Sequence, residues 1–425
     1  MAMETIFTMD SSSIKYGAGA TVEIGFEMAR LGSTRVMVVT DPNLRGSGPV
    51  GVTLASLRGQ GIDAVLYART RVEPTDASFR DAIAFATDGG FDGYVGIGGG
   101  SAIDTAKVAN LYATWPADLL TYVNAPIGQA KPVPGPLKPL IAIPTTAGTG
   151  SETTGVAIFD LTEMHAKTGI AHRALRPVMG IVDPDNTRTM PPMVAACSGF
   201  DVLCHAIESL TALPYSERPA PDHPSIRPSY QGANPISDIW ASKALELTAA
   251  NIVKAVQNPD DNAARSAMLL AATYAGIGFG NAGVHLPHGM SYPVSGMVRD
   301  FRPEGYQVDH AIIPHGMSVI LNAPAVFRWT APVNPERHLY AAGLLGADTS
   351  AVSPDDAGEL LATTIIDLMR ATGMPNGLAA VGFEGDDIDA LVEGTIPQHR
   401  VTKLSPRPAS PDDLRALFAA AMRYW

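Results

Sequence analysis

At 425 residues the chain exceeds what one hydrophobic core usually serves, so two domains are expected. Apolar residues make up 46% and charged residues 17%, and the net charge of −12 leaves no basic stripe for a phosphate backbone, which excludes nucleic acid as the main partner. Two cysteines, Cys197 and Cys204, cannot build a disulfide framework. They point to a reducing cytosol, while the N-terminus lacks a basic-then-apolar secretory signal and the apolar runs read as too short to cross a bilayer.

In chain order, residues 19–30 carry a helical pattern and residues 35–40 (R-V-M-V-V-T) form a β-branched run closed by Asp41. Short strands are predicted at 64–67, at 94–97 running into G-G-G-S, and at 139–143 running into P-T-T-A-G-T-G-S-E, with two more at 155–159 and 180–182. Strands alternating with helices imply a doubly wound parallel α/β sheet. After Met190-Pro191-Pro192 the texture becomes Ala/Leu-rich and helical, over 237–256, 262–276, 355–372 and 411–423, with Ser237, Asp261 and Ser410 as caps. The expected division is an α/β domain over 1–187 and an all-α domain over 188–425, with irregular segments at 214–234 and 398–411.

Two glycine-rich turns fall at carboxyl ends of predicted strands, where doubly wound sheets take ligands. Gly98, Gly99, Gly100 and Ser101 open a helix that carries Asp104, so backbone N–H groups and the helix N-terminus can face a pyrophosphate. Thr145, Thr146, Thr149 and Ser151 supply hydroxyls at the second turn. Together the turns point to a dinucleotide, and Asp41 at the end of its strand favours NAD over NADP because a carboxylate repels a 2′-phosphate. Asp41-Pro42-Asn43 is equally a plain turn start.

The helical half carries a metal-ligand pattern. Asp201 and His205 are spaced i,i+4 inside an apolar run, which puts both on one helix face where an unpaired carboxylate would be costly. His288 and His315 each precede a glycine, and His285, three residues before His288, competes for the third position. One carboxylate with three imidazoles suits iron(II) or zinc. His310 reads as solvated, and His165, His172, His223 and His399 as surface residues.

With G-G-G-S, T-T-A-G-T-G-S-E, M-P-P, G-F-D-V-L-C-H-A-I-E, H-G-M-S-Y-P and P-H-G in that order, the chain resembles the iron-dependent (group III) alcohol dehydrogenase family over nearly its whole length. The resemblance implies the dehydroquinate synthase-like fold of that family, an NAD(P)-binding α/β domain followed by a helical domain. It implies a divalent metal, iron(II) before zinc, on Asp201, His205, His288 and His315, and it implies that Lys167, in H-A-K-T-G-I, lies near the cofactor. Further stretches, among them R-V-E-P-T-D, Y-Q-G-A-N-P-I-S-D-I-W and R-V-T-K-L-S-P-R-P, resemble a subgroup that oxidises one hydroxyacid while reducing an oxoacid. That likeness implies 4-hydroxybutyrate and 2-oxoglutarate as substrates, with the nicotinamide staying bound. The alternatives are an ordinary dehydrogenase using free NAD and a non-redox NAD- and metal-dependent lyase of the same fold.

Many family members carry a second histidine where this chain has Tyr292, and His285 is an extra imidazole. His285 and Tyr292 are therefore the candidate catalytic pair, His285 as a proton relay or carboxylate partner, with a space-filling role as its alternative. For the carboxylates of small-molecule acids, Arg227, Arg400 and Lys403 are the candidate cations, since they lie in irregular segments. A homodimer is the default assembly.

Overall fold

The predicted strands are apolar or small at nearly every position, which suits strands covered on both faces rather than alternating in and out. The computed structural model describes residues 2–164 and 166–425, and the expectation of a surface position for His165 falls outside them. Two units are present, one over Ser11–Met190 and one over Pro191–Trp425 that also takes in the segment up to Asp10.

In the first unit the strands are β1 (Ser13–Tyr16), β2 (Arg35–Val39), β3 (Asp63–Tyr67), β4 (Gly93–Gly98), β5 (Leu140–Pro144), β6 (Val156–Leu161), β7 (Ala166–Ala171) and β8 (Met179–Val182). Six of them form an all-parallel sheet in the order β1–β8–β5–β4–β2–β3. Helices α1 (Ile24–Arg30) and α2 (Gly48–Gly59) pack on one face over Val36, Val38, Val95 and Ile97. Helices α3 (Asp76–Gly89) and α4 (Gly100–Thr114) cover Met37, Val39 and Tyr94 on the other, the period-2 complement. Strand order reverses between β2 and β4, so the crevice at their carboxyl ends lies between Asp41 and the Gly98 turn.

Two departures from the sequence reading have simple causes. The strand expected at 155–159 leaves the main sheet and pairs with β7 as an antiparallel hairpin, because its connection is too short for a parallel crossover. Strand β1 was not anticipated, since S-I-K-Y is a half-exposed edge with little apolar pattern.

The second unit consists of α5 (Pro192–Thr211), α6 (Pro235–Gln257), α7 (Asn262–Ala282), α8 (Leu286–Gly296), α9 (His315–Ile320), α10 (Ala323–Thr330), α11 (Pro335–Leu344), α12 (Ala357–Ala371), α13 (Ile388–Thr395), α14 (His399–Thr402) and α15 (Pro411–Ala421). Asp261 and Ser410 cap α7 and α15 as expected. At α6 the cap is Asn234, which accepts the Ser237 N–H at 2.9 Å, while the Ser237 hydroxyl donates to the Gly278 carbonyl at 3.0 Å. One expectation is corrected: α5, at 20 residues, is long and apolar enough by length and composition to cross a bilayer. It is buried almost throughout, and its interior face carries Asp201, His205 and Glu208, so its apolar character serves a protein core.

Candidate metal centre and glycine turns

At the carboxyl ends of β4 and β5 the two glycine-rich turns meet. The Thr145 N–H donates to the Gly98 carbonyl at 3.0 Å. A Cβ built on Gly99 would stand 3.3 Å from Thr146 Oγ1, and one on Gly100 would stand 2.6 Å from Thr149 Cγ2. Gly98 has φ +150°, and a Cβ there would lie 2.7 Å from Ala102 Cβ and 3.7 Å from Asp41 Oδ2. The backbone can therefore approach a ligand closely beside the first turn of α4. Asp41 Oδ1 accepts the N–H groups of Asn43 at 2.9 Å and Leu44 at 3.3 Å, so it does start a turn, with Oδ2 on the Gly98 side. Burial raises its pKa from the ordinary carboxylate value.

Several expected cofactor residues hydrogen-bond to protein groups around the turns. Ser151 donates to Asp104 Oδ1 at 2.5 Å, and Asp104 Oδ2 accepts the Ile158 N–H at 3.0 Å. Lys107, fully buried, donates to Ser151 Oγ and the Val156 carbonyl, which ties α4 to the second turn. Thr145 is buried, while Thr146 and Thr149 stay half-exposed at the lip. Ser101 accepts the Glu73 N–H at 3.2 Å, and Glu73 holds Lys167 at 2.7 Å. Lys167 also pairs with Asp160 at 3.0 Å, and the two carboxylates outweigh burial and keep it charged. Asp104, Ser151 and Lys167 thus brace the turns, because a buried charge must be paired.

The metal-ligand set does come together. Helix geometry sets Asp201 and His205 on one face of α5, α8 begins two residues before His288, and α9 begins at His315. A side chain at Gly316 would collide with the Cys197 carbonyl, so glycine lets α9 lie directly on α5. Asp201 Oδ1 stands 3.7 Å from His205 Nε2, 3.6 Å from His288 Nε2 and 3.6 Å from His315 Nε2. All four donors fall within 4.8 Å of one another. A tetrahedral ion with bonds of about 2.1 Å spaces its donors roughly 3.4 Å apart, so the set has the right span. Asp201 Oδ1 and His288 Nε2 are buried without hydrogen-bond partners, a cost of about 1–3 kcal/mol each that a cation removes. The His315 side chain is 23% exposed and the other three are nearly closed off, so the set is most open on the His315 side.

Glu208 completes the centre and was not singled out from the sequence. Its Oε2 takes His288 Nδ1 at 2.5 Å, while Oε1 accepts the N–H groups of His285 at 2.8 Å and His288 at 3.3 Å. One buried carboxylate thereby caps α8 and fixes the imidazole with Nε2 toward Asp201. The signal was present, because Glu208 follows Asp201 by seven residues and His205 by three, on the same face. Burial works against the charged forms throughout. It lowers His205 to about 3, whereas at His288 it is outweighed by Glu208 and Asp201, which raise that group to about 10. Asp201 is held well below the usual carboxylate range, the histidines outweighing its burial.

His285 sits elsewhere. Its ring is fully buried, edge-on to Phe327, with Nε2 2.9 Å from Thr211 Oγ1. The Thr211 hydroxyl also donates to the Ile207 carbonyl at 2.7 Å, and His285 Nδ1 is buried without a hydrogen-bond partner among the described residues. That geometry is consistent with a residue filling the wall beside the ligands, and burial lowers the group to about 4. Tyr292 is buried on α8 and accepts from Arg400 Nη2 at 2.8 Å. Arg227 is removed from the candidate cations, since Glu4 takes its guanidinium at 2.9 and 3.4 Å. Lys403 is exposed, as are His223 and His399, and His172 is half-buried with Nδ1 accepting the Ala174 N–H. His310 is half-buried against Asp309.

Comparison with known proteins follows the same division. Residues 11–184 match the family model for iron-containing alcohol dehydrogenase, and residues 229–422 match that of the C-terminal part of the Fe-containing alcohol dehydrogenase family. The mitochondrial hydroxyacid-oxoacid transhydrogenase of Mus musculus is 56% identical over 99% of this chain and 90% of its own length. Its probable counterpart in Dictyostelium discoideum is 53% identical over 98% and 79%. Among solved structures, 1,3-propanediol oxidoreductase has a TM-score of 0.85 at 28% identity, covering 98% of this chain and all of its own. An alcohol dehydrogenase from Oenococcus oeni has 0.84 at 27%, with the same coverage. The cytosolic home expected from the sequence is overturned by these relatives, whose names place them in mitochondria. Cysteine usage reports redox poise and does not distinguish reducing compartments from one another.

Proposed function

The chain belongs to the iron-containing alcohol dehydrogenase family, metal-dependent NAD-linked oxidoreductases, and from that premise we propose that it passes hydride from a hydroxyacid to an oxoacid through a nicotinamide that stays bound. The proposed pair is 4-hydroxybutyrate and 2-oxoglutarate, giving succinic semialdehyde and 2-hydroxyglutarate. The supporting observation is full-length likeness to curated transhydrogenases in a chain whose four metal donors converge. Iron(II) is the proposed ion, zinc the alternative that the same ligands would accept, and a homodimer the proposed assembly.

When bound, the ion supplies Lewis acidity to the substrate hydroxyl and the nicotinamide a place for the hydride. Asp201, His205, His288 and His315 would hold the ion, with Glu208 keeping a hydrogen on His288 Nδ1 so that Nε2 presents its lone pair. Gly98, Gly99 and Gly100 would offer backbone to the pyrophosphate, Thr146 and Thr149 their hydroxyls, and Asp41 Oδ2 a ribose contact that disfavours NADP.

The reading is tested by 4-hydroxybutyrate oxidation with no added NAD. Turnover that requires 2-oxoglutarate is the expected result, and a rate that follows free NAD and ignores the oxoacid would reduce the protein to an ordinary dehydrogenase. The turn is tested separately. Gly98→Ala places a methyl group against Ala102 at a φ that side chains rarely adopt, so it should destabilise by about 1–3 kcal/mol. It should also weaken NAD binding about tenfold or more by fluorescence titration. Unchanged affinity would detach this turn from the nucleotide.

A further inference from the structure

We infer that Arg400, with Tyr292 and Tyr230, anchors a substrate carboxylate, and that this one anchor serves both half-reactions. The inference rests on the hydroxyacid–oxoacid reading and adds to it the residue that selects the acids.

Arg400 Nη2 donates to the Tyr292 hydroxyl at 2.8 Å, and its guanidinium lies over the Tyr230 ring, 5.0 Å from the centroid. Nη1 is buried with no hydrogen-bond partner. Among the described residues no carboxylate pairs with it, unlike Arg227, Arg299, Arg328, Arg337 and Arg415. A half-buried cation without a counter-charge is unfavourable, and a guanidinium fork with a bare edge matches a carboxylate. Because Tyr292 accepts from Arg400, its own O–H is left to act as a second donor.

The cluster stands on the wall of the metal centre. Tyr292 follows His288 by one turn of α8, about 6 Å along the helix axis and on the same face. Tyr230 packs edge-on to Phe279 at 6.4 Å, and Phe279 stacks on His205 at 3.8 Å. Gly289, the residue after His288, packs under Thr402 of α14, where a Cβ would come within 2.7 Å.

The two substrate pairs share the feature this placement would read. In 4-hydroxybutyrate and 2-hydroxyglutarate alike, a carboxylate lies three C–C bonds from the carbinol carbon, roughly 4 Å in an extended chain. Succinic semialdehyde and 2-oxoglutarate keep that spacing at the carbonyl carbon. Arg400, hydrogen-bonded to Tyr292 one helical turn beyond the ligand His288, therefore holds the donor acid and then the acceptor acid in the same register. Short 2-hydroxyacids lacking the distal carboxylate are excluded as good substrates.

The experiment compares the metal-loaded wild type with Arg400→Gln. The KM values for 4-hydroxybutyrate and 2-oxoglutarate should both rise about 10- to 100-fold, with a smaller loss in kcat and an unchanged metal content. Either KM staying within about twofold overturns the shared anchor while leaving the transhydrogenase reading intact. If the wild type oxidises no hydroxyacid, that parent reading fails, and succinate titration decides the anchor. Binding that Arg400→Gln weakens about tenfold supports it, and equal or absent binding overturns it. Arg400→Lys keeps the charge without the fork and stands in if the glutamine variant does not fold. A several-fold rise in both KM values then supports the anchor, and unchanged values overturn it.

Discussion

His288→Ala is expected to abolish turnover and bound metal together, with kcat/KM falling on the order of 10³-fold or more, since Lewis acidity is worth several kcal/mol. The imidazole is the hub of the centre: its Nε2 faces Asp201 Oδ1 at 3.6 Å, its ring stacks on His205 with centroids 4.6 Å apart, and its Nδ1 is held by Glu208. Its removal leaves Glu208 buried with a lone-pair face unmet, so a stability loss of about 1–3 kcal/mol should accompany the chemical loss. Metal content by elemental analysis separates the two effects, because an unfolded protein and a folded, metal-free one differ in circular dichroism. A folded His288→Ala protein that retains metal and full activity would remove this residue from the ligands.

Glu208→Gln is expected to weaken metal binding about 10- to 100-fold while keeping side-chain volume. Three N–H donors converge on the two carboxylate oxygens, the backbone groups of His285 and His288 and the His288 ring. An amide offers one oxygen and one NH2, so whichever way it turns, two donors meet. If the ring is the group displaced, the hydrogen moves to Nε2 and blocks the ligating lone pair. If the backbone groups are displaced, the first turn of α8 loses its cap. Chelator competition measures the change, and an affinity equal to that of the wild type would show that the carboxylate acts only as a cap.

Much of this was readable in the sequence where local chemistry sets the outcome. Asp201 and His205 are legible because a helix repeat aligns residues four apart, and the glycine turns because a missing Cβ at a strand end has few other uses. Glu208 shares the helix face of Asp201 and His205, but its spacing does not show which distant segment supplies its partners, here residues 285–288. The protein partners of Asp104, Ser151 and Lys167 were hidden for the same reason, since spacing alone does not reveal whether a polar atom points into the protein. Arg227 and Arg400 look alike in sequence, both falling in segments that read as irregular, although Arg400 lies on α14. Only the long-range pairing of Arg227 with Glu4 and the uncompensated edge of Arg400 tell them apart.

The central claim, that hydride passes from one acid to the other through a nicotinamide that does not leave, is tested most directly with 4-hydroxybutyrate deuterated at its carbinol carbon. In the presence of 2-oxoglutarate and an excess of unlabelled free NADH, the account predicts deuterium in the 2-hydroxyglutarate formed and none in the free pool. Unlabelled 2-hydroxyglutarate with deuterium collecting in the free NADH would contradict it.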